Sequence, residues 1–250
     1  DMVIKTIDEA MRIIKENDPD IVVNCIGFTG KNVDECEDNL EKTISSNTFV
    51  PLLLAEACLR LGKKLVHIST GCLYQTNNFR LLDENKEPDF YDLYYSRSKV
   101  YAEKCLQWLS KNYPILILRI RIPLDDIPHP KNILTKLLKY KTILDCPNSI
   151  TYIPDFISAM DWLIYKKAVG LFNVVSPGIC FYPEMLNLYE HESNKKMDYK
   201  VISLEDFPKT RTNLLLSTSA LEAEGFHPLP IYEVYSRCIK KYVENEKCLG

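Results

Sequence analysis

Three short runs in this chain are apolar almost without interruption: Ile21–Ile26, Leu65–Ser69 and Ile115–Ile122. A strand with one face in water alternates apolar and polar residues. A run without alternation is covered on both faces, which points to a parallel sheet packed between helices. The segments between these runs read as helices. Ile4, Ile7, Met11 and Ile14 recur at helical spacing, predicting an amphipathic helix over residues 3–16 that stops at Asn17-Asp18-Pro19. A second helical stretch is expected from Val33 to Leu61, divided near Pro51, and a third from Tyr91 to Lys111. Strand–helix–strand alternation of this kind defines an α/β fold with a parallel sheet.

The texture changes after Pro123, where prolines and acids crowd into Asp125-Asp126-Ile127-Pro128-His129-Pro130. Such clusters mark boundaries. We place one domain at residues 1–125 and a smaller lobe at 126–250, some of whose segments return to the sheet. In the second half, strands are expected over Gly170–Ser176 and Tyr199–Leu204, with a closing helix over Ile231–Glu246. The lobe would cap the carboxyl ends of the strands, where open α/β sheets bind ligands.

Composition narrows the function. A net charge of −3 offers no basic footprint for nucleic acid. No apolar run approaches the ~20 residues needed to span a bilayer. The mixed-charge beginning does not resemble a targeting peptide. Nine scattered cysteines show no metal-ligand spacing, so no metal is expected, and they read as reduced thiols in a cytoplasmic setting.

Chemistry is concentrated in two places. Tyr95 and Lys99 are four residues apart in the third helix, so the phenol and the ammonium share a face. A nearby cation favours phenolate and makes Tyr95 a proton donor to a carbonyl oxygen that receives hydride. With fifteen tyrosines, a Tyr-x-x-x-Lys spacing also arises by chance, so context decides. That context is Ser69-Thr70, at the end of the second buried run, where the Thr70 hydroxyl can hydrogen-bond the same carbonyl.

In order, Asn24-Cys25-Ile26-Gly27, Asn47, His67-Ile68-Ser69-Thr70 and Tyr95 with Lys99 resemble the marks of extended short-chain dehydrogenases/reductases. Residues 19–37 and 65–74 are similar to the dTDP-4-dehydrorhamnose reductase branch. Thr70-Gly71-Cys72, Arg119–Pro123, Pro130–Lys136 and Pro147–Ser149 resemble the bifunctional nucleotide-rhamnose synthases, which act as epimerase and reductase. The resemblance runs from about Pro19 to Leu221.

The resemblance implies a Rossmann-type parallel sheet with helices on both faces, NADPH or NADH as cofactor, and a nucleotide-linked 4-keto-6-deoxyhexose as substrate. It makes 1–125 the cofactor-binding domain and the second half mainly a substrate-binding lobe, and it allows a homodimer. By the same carry-over, Thr70, Tyr95 and Lys99 are the reductive group, Tyr95 and Lys99 also bind the cofactor, with Lys99 holding the nicotinamide ribose, and Gly27 and Pro123 lie beside it. Where rhamnose reductases carry Asp-Tyr, this chain has Gly71-Cys72. Cys72 then pairs with Lys136 as the epimerase couple. The C4 ketone acidifies C3 and C5, so a thiolate can remove a proton and an ammonium can return one with inverted configuration. Asn132 and Arg211 are carried over as contacts to the substrate diphosphate, and Asn47 as a support of the catalytic loop or of a proton-relay water.

One expected mark is missing from the 250 residues. None of the eight glycines forms the Gly-rich turn that lets a backbone meet a pyrophosphate. The resemblance places the first strand, that turn and the residue choosing between NAD and NADP ahead of Asp1. The 250 residues alone are therefore expected to aggregate or to fail to bind NADPH. Two other readings stay open: a 4-reductase in which Cys72 only packs, and a non-catalytic regulatory subunit on the same fold, like the methionine adenosyltransferase beta subunit.

Overall fold

The computed structural model describes residues 4–75 and 79–249, without the side chain of Leu249. The first half runs α1 (Ile7–Asn17), β1 (Ile21–Asn24), α2 (Glu35–Asp38), α3 (Leu40–Ile44), a π-helical turn (Ser45–Phe49), α4 (Val50–Leu61), β2 (Lys64–Thr70), β3 (Leu81–Leu82), α5 (Tyr94–Ser110) and β4 (Ile115–Ile120). There follow β5 (Pro123–Leu124), α6 (Ile133–Leu137), β6 (Thr142–Leu144), β7 (Thr151–Tyr152), α7 (Ile153–Tyr165) and β8 (Gly170–Asn173). The chain closes with α8 (Tyr182–Ser193), β9 (Lys200–Ile202), β10 (Leu215–Leu216), α9 (Ser219–Ala223) and α10 (Ile231–Leu249).

These elements form two compact units. The first comprises Asp1–Leu73, Glu87–Arg119 and Leu163–Phe172. Its sheet has the order β1-β2-β4-β8, with β1 and β2 parallel and Asn24 opposite His67. The expected α/β class is the one observed. In β4, Ile115, Leu116, Ile117 and Leu118 are all buried, which is why this run carries no alternation.

Helix α1 starts at Ile7, later than the 3–16 expectation; residue 3 lies outside the described residues. Thr6 stops it there. Its hydroxyl accepts from Glu9 N at 3.2 Å while the Glu9 carboxylate accepts from Thr6 N at 3.1 Å, so two orphan donors are satisfied reciprocally. Ala10 and Ile14 of α1 pack with Leu54, Ala57 and Cys58 of α4 and with Leu65, Leu106, Ile115 and Ile117. Helix α4 ends at Gly62, whose φ of 66° is the left-handed conformation that lets Lys63 N reach back to Cys58 O at 2.9 Å.

The break expected near Pro51 falls elsewhere. Asn39, with φ −131°, separates α2 from α3, and the chain then stays helical from Leu40 to Leu61. Pro51 sits in the first turn of α4. It has no N–H for the carbonyl four residues back, and the backbone widens ahead of it into the π-turn, with Val50 N donating to Ser45 O. The strand expected over Ile115–Ile122 ends at Ile120, and Ile122 takes a left-handed φ of 42° that no strand accommodates.

The second unit comprises Tyr74–Lys86, Ile120–Trp162 and Asn173–Gly250. Residues 74–86 join it because β3 pairs in parallel with β10. Residues 163–172 leave it because β8 belongs to the four-stranded sheet. Two further parallel pairs, β5 with β7 and β6 with β9, lie over a core that includes Leu134, Ile150, Tyr152, Met185, Tyr189, Val234 and Tyr242. Among the described residues, no helix is long and apolar enough to cross a membrane.

Candidate active site

In the first unit, the loop after β1, the π-turn and α5 bring Gly27, Asn47 and Lys99 together, with Thr70 at the end of β2 and Tyr95 one turn before Lys99 on α5. Tyr95 is 7% and Lys99 6% exposed, so neither lies on a solvated helix face. Lys99 Nζ donates to Ile68 O at 3.3 Å, two residues before Thr70. Burial pulls the Lys99 ammonium down from its usual 10.5 to about 8, against the opposing pull of Glu103 and Cys25. Thr70 Oγ accepts from Cys72 N at 3.1 Å, and Cys72 is half-buried.

Asn47 lies at the centre of the π-turn and is fully buried. Its Oδ1 accepts from Phe28 N at 2.7 Å, and its Nδ2 donates to Phe28 O at 3.0 Å and to Ser98 Oγ at 3.2 Å. Ser98 in turn donates to Tyr95 O at 2.7 Å. Asn47 thus clasps the loop after β1 to the helix carrying Tyr95. A methyl group built on Gly27 would lie 3.4 Å from Asn47 Oδ1 and 3.5 Å from Lys99 Nζ. An exposed glycine leaves that approach to a buried ammonium open. A buried ammonium and a buried amide beside an exposed glycine are groups that could meet the ribose hydroxyls of a dinucleotide.

The second unit holds the other candidates. Pro123 opens β5, where its missing N–H costs no ladder bond, and Leu124 pairs with Tyr152. The Asn132 side chain is committed to its own loop. Its Oδ1 caps α6 at Leu134 N, and its Nδ2 donates to Asp125 O at 2.8 Å and Ile127 O at 2.9 Å. Lys136, in the last turn of α6, is half-buried, and burial followed by repulsion from Lys131 lowers its pKa. Arg211 donates to Thr210 O and stacks over Phe207 at 5.7 Å.

The sequence reading assigned no role to several buried polar residues. Glu103, Arg119 and Ser69 form a buried cluster beside Lys99. Arg121 is buried and reaches Asn148 Oδ1 at 2.9 Å and Thr212 O at 2.5 Å, so it braces the segment that carries Arg211. The signal for both arginines was present: a guanidinium in an otherwise aliphatic run requires an interior partner. His67 is also buried. Asn24 Oδ1 accepts from Ile26 N, which turns its Nδ2 toward His67 Nδ1 at 3.0 Å and makes that nitrogen the acceptor. Burial, followed by the charge of Lys99, holds His67 neutral.

Comparison with known proteins places these features in a family. Residues 1–143 match the family model described as RmlD substrate binding domain. The chain is 30% identical, over 82% of its length and 71% of the relative's, to a bifunctional dTDP-4-dehydrorhamnose 3,5-epimerase/dTDP-4-dehydrorhamnose reductase of Arabidopsis thaliana. It superposes on the UDP-rhamnose synthase of Acanthamoeba polyphaga mimivirus with a TM-score of 0.88 at 28% identity, covering 94% of this chain and 86% of that one. The dTDP-4-dehydrorhamnose reductase of Bacillus anthracis, solved with NADP, shares the fold at 21% identity with a TM-score of 0.78, over 95% of this chain and 84% of that one.

Proposed function

The chain belongs to the RmlD substrate-binding-domain family, and from that premise we propose that it is an NAD(P)H-dependent 3,5-epimerase/4-reductase of UDP- or dTDP-4-keto-6-deoxyglucose, yielding the rhamnose nucleotide. The observation that carries the reading is the buried Tyr95–Lys99 turn of α5, tied through Lys99 to Ile68, two residues before Thr70.

Tyr95, Lys99 and Gly27 would hold a nicotinamide dinucleotide, which when bound would supply hydride to C4. Tyr95 gives the proton to the oxygen formed there, Thr70 polarises the ketone, and Lys99 holds a positive charge that favours loss of the phenol proton. Asn47 fixes the loop that carries Gly27. Before reduction, Cys72 as thiolate takes the proton from C3 or C5, and Lys136 returns one. Burial, followed by repulsion from Lys131, lowers its pKa and so eases the loss of its proton. Arg211 is the diphosphate contact, Pro123 lies beside the cofactor, and Asn132 shapes the loop before α6. Nine free thiols support a reducing, cytoplasmic setting.

Two measurements test the proposal. With cofactor omitted, wild-type protein in deuterated solvent should label the keto-sugar at C3 and C5, and Cys72→Ser should abolish the labelling. With NADPH added, the product should be the rhamnose nucleotide. Reduction of an already epimerised sugar without any labelling by wild type would leave a 4-reductase. Neither activity, in a preparation that binds the nucleotide-sugar, would remove the enzymatic reading.

A further inference from the structure

Strand β2 and helix α5 are joined at two successive residues, and both ties lie beside the groups assigned to reduction. Lys99 Nζ donates to Ile68 O at 3.3 Å. Ser69 Oγ, on the next residue, donates to Glu103 Oε2 at 2.5 Å. Glu103 is one helical turn beyond Lys99 and two beyond Tyr95, on the same face of α5. Arg119 on β4 grips its carboxylate from the other side. Arg119 Nε lies 3.1 Å from Oε1 and 3.0 Å from Oε2, and Nη2 lies 2.6 Å from Oε1. Glu103 and Arg119 have no exposed surface, and Ser69 is 2% exposed.

A fully buried ion pair adds little net stability over an apolar pair of similar size, because both charges must be desolvated. The core of this unit has ample aliphatic residues with which to join α5 to β4. The placement of this pair is more telling than its strength. One oxygen of the carboxylate holds the residue before Thr70, and the whole group stands one turn from a buried ammonium.

We propose that Glu103, braced by Arg119, is a positioning residue for reduction: it holds the Thr70 end of β2 against the face of α5 that carries Tyr95 and Lys99, and its charge keeps Lys99 protonated in a buried site. The proposal rests on the reading of Thr70, Tyr95 and Lys99 as the reductive group. The electrostatics agree with the geometry, since Glu103 is the foremost group opposing the effect of burial on Lys99. The other titratable or charged groups of this region are Cys25 after β1, His67 on β2, Tyr95 on α5 and Arg119 on β4. Glu37 of α2 reaches the start of α5 at Tyr94 N, and the π-turn brings only the neutral Asn47 and Thr48.

Three variants decide the matter. Glu103→Gln alone leaves a buried guanidinium uncompensated, so its loss of activity could reflect misfolding. The double variant Glu103→Leu/Arg119→Met replaces both charges and should fold. It should reduce the keto-sugar with kcat lowered about tenfold or more and KM little changed. An NMR titration of isotopically labelled lysine should place its Lys99 below wild type. Ser69→Ala keeps the ion pair, so it should fold, lower kcat several-fold and leave the Lys99 titration where it is. A folded double variant with wild-type kcat and wild-type Lys99 titration would overturn the proposal, as would undiminished kcat in Ser69→Ala together with an unmoved Lys99 in the double variant. If wild type itself reduces nothing, the functional reading fails, and the Lys99 titration still decides the electrostatic half.

Discussion

Tyrosine is a poor acid at neutral pH, and Tyr95 depends on a neighbouring cation that is itself held in an unfavourable place. Replacing Tyr95 with Phe removes the proton and little else. Reduction should slow by about 10²–10⁴-fold, the usual weight of general acid catalysis, while KM barely moves. An undiminished rate in steady-state assays would withdraw the assignment. Lys99 allows a test that needs no substrate. Its folded pKa of about 8 lies below its usual 10.5, so between those values the unfolded chain binds the extra proton and folding stability rises with pH. Below about pH 8 the full penalty of burying the ammonium is present. Lys99→Met should therefore be more stable than wild type at pH 7 by urea denaturation, with the advantage shrinking toward pH 10. A constant difference across that range would mean that Lys99 is not desolvated.

Among the elements, α1 and α5 show how a local signal and a distant one divide the work. Helix α1 is placed by its own ends: the Thr6–Glu9 capping box at the start and Asp18, with φ 40°, before Pro19 at the finish. Thr6→Ala should lower unfolding stability by about 0.5–2 kcal/mol without touching activity. A change in kcat rather than in the urea midpoint would show that α1 does more than cover the sheet. Helix α5 carries no side-chain cap at Leu93. Its position comes from contacts across the chain: Thr48 Oγ1 to Ser98 O at 2.6 Å, Asn47 to Ser98, and Glu103 to Ser69 and Arg119. Its axial position, and with it the height of Tyr95 over the sheet, is therefore tertiary.

At the scale of the whole molecule, each unit has its own core, and a ligand that binds only the folded chain stabilises it by mass action. A UDP- or dTDP-linked sugar at a hundredfold excess over its Kd should add about 2.7 kcal/mol, seen as a higher melting temperature. Free hexose should add nothing. No shift with either nucleotide-sugar would remove the substrate class, whatever the state of the catalytic side chains.

Much of the chain could be read before it was folded, because its signals are short in range. The unbroken apolar runs of β2 and β4 require cover on both faces, and Ile7, Met11 and Ile14 lie along one side of a helix whatever surrounds them. Thr70, Tyr95 and Lys99 were legible for the same reason: a strand end and a four-residue helical spacing are local facts. Folding alone decided the partners of buried polar groups. Glu103, which no motif marks, and Arg119, which stands in the Arg119–Pro123 motif without an assigned role, lie 16 positions apart in sequence until burial forces them together. Asn132, carried over as a substrate contact, is occupied by its own loop because the carbonyls of Asp125 and Ile127 need donors. The widened turn at Asn47 and the left-handed Ile122 follow from constraints that span many residues, and no periodicity records them. Apolar patterning states how much of an element is hidden, whereas only the closed structure determines which polar group meets which, since each such pair must offset its own desolvation.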